Sequence, residues 1–281
     1  MTAHSRSQDQ ENSSRRQPQV TPGARDAGAK LCETIFELRW GLSAQAPGVD
    51  AVDPGFELLL GRLFERLRGD YPDLVNLPVA QLPSSRSPHA VRHQFRSAGR
   101  SWPLVQIGPG VLTLNDAAEF DWNRFGPRIR RGVAELFETY PAELHALRPV
   151  AIALRILNAA PLDAGRPLLR ALEEHLHTSV RVDPKLFEDP REAAKPSGLQ
   201  LTISFPLERL QGHGTLALST ARDANGLQIL WQLEASALGE AVPKDPAAIQ
   251  PWAEMAREVL MRWLGTLDDA SDRAGSGRGH L

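Results

Sequence analysis

The chain has 281 residues, 42% of them hydrophobic, enough to bury the core of one or two domains. Its formal net charge of -2 gives no electrostatic case for a nucleic-acid or membrane partner. A single cysteine, Cys32, excludes an intramolecular disulfide and any multi-cysteine zinc site.

Residues 1–29 are polar, rich in Ser, Gln and Arg, and carry neither periodicity nor an apolar leader segment, so a disordered tail is expected. The longest apolar run, PVAIALRILNAAPL, is too short to span a bilayer and holds Arg155 in its middle, which points to a cytoplasmic protein with no membrane contact. The first periodic stretch is CETIFELRW, residues 32–40. Alternation sends Thr34, Phe36, Leu38 and Trp40 to one side of a strand and Glu33, Ile35, Glu37 and Arg39 to the other. A helix follows, with a stripe of Phe56, Leu59, Leu60, Leu63, Phe64 and Leu67, Asp53 placed to cap it and Pro72 to end it.

AVRHQFRS and WPLVQIGPGVLTLND read as strands, the second interrupted by a turn or bulge at Gly108-Pro109-Gly110. A second helix carries Trp122, Phe125, Ile129, Val133, Leu136 and Tyr140 on its apolar stripe. PVAIALRIL then starts a new strand and RPLLRALEEHLH a new helix. Three alternating strands follow, LQLTISF, GTLALST and LQILWQLEA, the last two joined by an Asn-Gly turn at 223–226. A final helix bears Ile249, Trp252, Ala256, Val259, Trp263 and Leu267, and residues 269–281 read as a disordered tail.

The order is βαββα and then βαβββα, as though one unit were used twice with a strand gained in the second copy. Leu38-Arg39 and Leu154-Arg155 occupy equivalent places in that scheme, as do Trp122 and Trp252. One-face alternation argues for an α+β fold, a mainly antiparallel sheet with helices packed on one side. Residues 30–268 form a single globular unit made of two similar halves, 30–146 and 147–268.

No chemistry stands out. Cross-strand ion pairing accounts for Glu33, Glu37 and Arg39 without catalysis. Glu174 and His177 form one Glu-x-x-His, where a di-metal carboxylate bundle needs two, and His89 and His93 lie too far apart on a strand to chelate, so no metal is expected. Gly108-Pro109-Gly110 is no dinucleotide fingerprint and no cofactor is expected. Arg124, Arg128 and Arg131 line one face of the second helix as a weak phosphate-binding candidate, with Glu135 and Glu138 on the same face to neutralise them. Cys32 is expected to turn inward as an inert thiol.

CETIFELRW, WPLVQIGPGVLTLND with FDWNRF, and IALRILN resemble a family of sporadically distributed, uncharacterised bacterial proteins. Its members have a glutamate-containing first strand, matched by Glu33 and Arg39, and a central Arg-x-x-Asn strand, matched by Arg155 and Asn158. Leu157 stands where an aromatic residue is commoner. The resemblance spans about residues 30–268 and implies no activity; the sporadic distribution it implies is that of accessory or sensor components of bacterial defence or toxin–antitoxin systems. The leading expectation is therefore a non-enzymatic binding or assembly protein, working through a protein partner or self-association. The alternative is a small-ligand binder or cryptic enzyme with a cleft between the halves lined by Glu33, Glu37, Arg39, Arg155 and Asn158. A nucleic-acid binder using the second-helix arginines comes third. Arg155, leaving a strand between core-facing Leu154 and Ile156, is expected to find a carboxylate, with Glu37 or Glu33 the candidates.

Overall fold

In the first strand, β1 (Lys30–Trp40), every second side chain from Phe36 to Trp40 is fully buried, while Glu37 and Arg39 between them stay half-buried. Burying each such aromatic or leucine side chain stabilises the fold by about 1.5–3 kcal/mol. The computed structural model describes residues 30–43, 51–83, 87–117, 121–163, 165–176, 178–181, 183, 198–223 and 226–276. After β1 come α1 (Phe56–Leu67), β2 (Asp73–Asn76), β3 (His93–Arg96), β4 (Leu104–Gly108), β5 (Val111–Ala117) and α2 (Trp122–Thr139). The chain continues through β6 (Pro149–Leu162), α3 (Leu168–Leu176), β7 (Gln200–Leu207), β8 (Gly212–Asp223), β9 (Gly226–Leu238) and α4 (Pro246–Ser276).

All nine strands form one antiparallel sheet in the order β2-β3-β4-β5-β1-β6-β9-β8-β7. Register places Phe95, Val105, Leu114, Phe36, Leu154 and Ala235 in one row across six strands, so all six share a face. Each belongs to the core cluster that also contains Leu59 and Leu63 of α1, Phe125 and Ile129 of α2, and Trp252 and Ala256 of α4. A second cluster adds Leu168 and Leu172 of α3 against Ala160, Ile229 and Trp231 on that same face. The α+β architecture is therefore a single sheet with all four described helices on one side, layered α1-α2-α4-α3.

The halves meet at the centre. β1 and β6 pair antiparallel with Phe36 opposite Leu154 and Glu37 opposite Ala153, and α2 packs on α4 above them. On either side of that seam the order is β3-β4-β5-β1 and β7-β8-β9-β6, with β2 added beyond β3. The extra strand thus belongs to the first half, βαββββα against βαβββα, the reverse of the sequence expectation. WPLVQIGPGVLTLND is a hairpin, because Gly108 pairs with Val111 and Gly110 takes φ +73, a conformation that glycine alone adopts freely. β2 exposes three of its four residues and so carries no apolar signature.

Two further expectations change. Buried positions of α2 (Phe125, Gly126, Ile129, Gly132, Val133) repeat in α4 as Trp252, Ala253, Ala256, Val259 and Leu260. Phe125, not Trp122, is thus the counterpart of Trp252. The last helix also runs on to Ser276 instead of ending before residue 269, since extending a nucleated helix is far easier than starting one. Residues 1–29 and 277–281, and 224–225 of the Asn-Gly turn, lie outside the described residues.

Candidate functional site

The sheet face away from the helices is built from the alternate set of side chains, and its charges gather at the seam. Arg155 of β6 stands opposite Ile35 of β1 and Glu234 of β9. Its Nη1 and Nη2 donate to Glu37 Oε2 and Oε1 at 3.0 and 3.3 Å, and its Nε donates to Glu234 Oε2 at 2.5 Å. Arg39 approaches from the other side, with Nε 2.8 Å from Glu37 Oε1. Side-chain exposures of 12% for Glu37 and 20% for Arg155 keep these contacts largely out of water, where such forked charge-assisted bonds are strongest. Burial alone would raise the Glu37 pKa, but the bonds and charge of Arg155, aided by Arg39, hold it below the ordinary carboxylate value. Burial lowers and the two carboxylates raise the Arg155 pKa; the carboxylates win, so its charge is permanent.

Glu33 behaves differently on the same face. It is buried, it accepts a 2.6 Å bond from Asn115 Nδ2, and burial pushes its pKa up with only the amide to offset it. Asn115 Oδ1 in turn lies 2.8 Å from Thr113 Oγ1, which is 3.2 Å from Gln106 Oε1, a neutral chain leading across β5 to β4. In the second half the same face carries neutral side chains beside the seam: Gln232 and Ser236 on β9, Thr215 and Ala217 on β8.

Asn158 does not join this group. Three residues along a strand reverse the face, so Asn158 lies with the helices, buried opposite Trp231. Among the described residues its Nδ2, Trp231 Nε1 and Thr34 Oγ1 are buried without hydrogen-bond partners. Arg155 and Asn158 therefore cannot line one site, and the expected cleft is replaced by a continuous β1–β6 ladder. Cavities at two places in the described residues each lie within one half. One, about 20 Å³, is walled by Tyr71, Leu114, Arg128 and Gly132 and has room for a single water. The other belongs to the second half.

The second-helix arginines are mostly engaged. Arg128 Nη1 bonds Asp116 Oδ2 at 2.6 Å, Arg131 bonds Asp70, and Arg124 is exposed. Glu135 and Glu138 turn instead to Arg66 of α1, at 3.7 and 3.8 Å. Cys32 sits where the β1–β6 register shifts and is half-buried. His93 Nδ1 meets Asn76 Oδ1 and His89 Nδ1 meets the Gly110 carbonyl, while His177 lies outside the described residues.

Two carboxylates organise the structure in ways the sequence pattern does not show. Glu234 is the third member of the seam cluster, and only the β6–β9 register brings it to Arg155. Asp53 is not the expected cap, since the N-cap of α1 is Gly55 and no side chain caps that helix. It accepts from Trp40 Nε1, Gly110 N, Gly55 N and Tyr140 Oη at 2.7–3.1 Å, tying β1, the β4–β5 hairpin, the α1 entry and the α2 exit together. Burial, then the bond and charge of Asp53, push the Tyr140 hydroxyl well above its ordinary value.

Chemically, both oxygens of Glu37 are occupied by arginine, while Glu33 accepts from an amide through Oε1. Among the described residues no group of three or more His, Cys, Asp and Glu side chains converges as metal ligands, and no helix is long and apolar enough to cross a membrane. No protein-family model matches the chain, and no curated protein matches it either.

Proposed function

We propose that the chain is a non-enzymatic binding or assembly protein that makes protein–protein contact through the face of its sheet away from the helices. The supporting observation is that all four described helices pack on the opposite face. Nine strands at about 4.8 Å spacing make a face roughly 40 Å across, wide enough for the ~800 Å² that each partner gives to a standard interface. The charges at its seam are paired with one another, and neutral Gln, Ser, Thr and Ala side chains flank them, as in the charge-depleted centre of an interface. Arg39, 40% exposed and anchored through Nε, is the side chain best placed to reach outward. An accessory or sensor component of a bacterial defence or toxin–antitoxin system is the setting proposed for it, on the likeness of its sequence motifs alone.

A photo-crosslinking amino acid placed at Gln232 or Thr215, against controls at Arg130 and Glu258 on exposed helix positions, tests this reading in cells. Discrete adducts, with a partner or with a second copy, are expected from the sheet positions only. Adducts from the helix positions alone would reject it.

A further inference from the structure

The second cavity opens where β6 begins and β9 ends. Its volume is about 380 Å³, within the range of roughly 300–1,000 Å³ common for small-molecule sites, and its wall is Leu147, Arg148, Pro149, Val150, Gly239, Glu240 and Lys244. We propose that this groove binds a small aliphatic carboxylate, with its charge between Arg148 and Lys244 and its chain against Leu147 and Val150.

Three observations carry this. First, Lys244 is held in place, since its Nζ donates to the Pro149 and Gly239 carbonyls at 3.0 and 2.7 Å. An ammonium has three donors, so one remains for a ligand. Second, the Arg148 side chain is exposed and makes no ion pair among the described residues, although its own carbonyl is fixed by Gly41 N at 2.9 Å. Glu240 is the one acid on the wall, which leaves an excess positive charge. Third, an apolar side chain on the wall itself is left in water, since Val150 is 37% exposed. Cations beside an uncovered aliphatic wall complement an amphipathic anion. A neutral ligand would forgo the charge-assisted bonds, and a bare inorganic anion would leave the wall wet.

The test is a chemical-shift titration of the isotope-labelled full-length protein with hexanoate, hexanamide and inorganic phosphate. Hexanoate should bind saturably, with the largest shifts at Leu147, Val150, Gly239 and Lys244. Hexanamide and phosphate should each bind about tenfold more weakly, the loss expected for one charge-assisted interaction. Arg148→Gln should weaken hexanoate by about tenfold and leave hexanamide unchanged, with the melting temperature unaltered because the side chain supports nothing in the fold. Lys244→Met should do the same if strand ends are intact, and the Arg148 variant decides the matter if they are not. Equal binding of hexanoate and hexanamide, shifts centred elsewhere, or undiminished hexanoate binding in Arg148→Gln would overturn the proposal.

Discussion

The two halves solve one assembly problem by different means. In the first half the hairpin strands β4 and β5 have 5 and 7 residues, and the side chains do much of the fastening. Every buried charged residue among those described lies there: Glu33, Asp53, Arg92 and Asp116. Arg92 shows the pattern, with Nη1 on the Leu82 carbonyl at 2.7 Å and Nη2 on Ser87 Oγ at 3.1 Å, pinning the loop between β2 and β3. In the second half β8 and β9 have 12 and 13 residues, and long ladders to each other and to β6 replace such staples. Only Asn158 represents the buried polar class there. A long ladder satisfies backbone groups over its whole length, whereas a short hairpin leaves its ends to be held by something else.

Removing Asp53 should break this contrast most severely. Asp53→Ala strands four donors in the interior and should cost about 4 kcal/mol in urea unfolding, with Asp53→Asn losing about half as much. Hydrogen exchange should show early loss at β4, β5 and the α1 entry. Uniform loss across both halves would mean that the staple serves the whole unit and that the contrast is only local.

The seam comes next. Arg155→Met leaves Glu234 without its cation and Glu37 with Arg39 alone, and should cost about 3 kcal/mol. Adding Glu37→Gln should recover part of this, with a coupling of about 1 kcal/mol or more in a double-mutant cycle. No coupling would show that the halves are joined by backbone pairing alone. Coincident far-UV and tryptophan unfolding curves are expected for the native chain, since β1–β6 pairing is shared property of both halves.

The two glutamates should respond to pH in opposite senses, with smaller effects. Glu37 titrates below the ordinary 4.5 when folded, so its stabilisation is full above 4.5 and is lost as pH falls through the lower folded value. Glu33 titrates above 4.5 when folded, so its burden is absent below 4.5 and grows as pH rises through the raised value. Glu37→Gln should therefore flatten the acid limb of the stability curve. Glu33→Gln should flatten the limb above 4.5 and stabilise the neutral protein. Chemical denaturation across pH 3–8 (a range of roughly five units about these values) reads both. Smallest of all, Arg131→Ala should cost less than about 0.5 kcal/mol, because its pair with Asp70 is half in water.

Much of this architecture was legible. Phe36, Leu38 and Trp40 alternate so cleanly that the buried face of β1 needs only a period of two. The Arg155–Glu37 contact follows from the same alternation, because an arginine leaving a strand between two core residues must reach a carboxylate on the other face. Asn158 was misplaced by grouping it with Arg155 across three residues, which ignores that period. Glu234 and Asp53 are matters of register and of chain closure over 79 and 87 residues, and no local pattern encodes such distances. β2 escaped because an edge strand that buries almost nothing has no apolar rhythm to detect.

The central place of β1 also has a consequence for biosynthesis. Its partner on one side, β6, begins more than a hundred residues later, at Pro149. A nascent chain that has made β1 to α2 holds a complete hairpin, two helices and one long strand edge with nothing yet to pair it. Such an edge, with Ile35 on one face and Phe36 on the other, is a template for a second nascent chain as readily as for β6. The interval before residues 149–162 become free to pair is then the period of greatest exposure to misassembly.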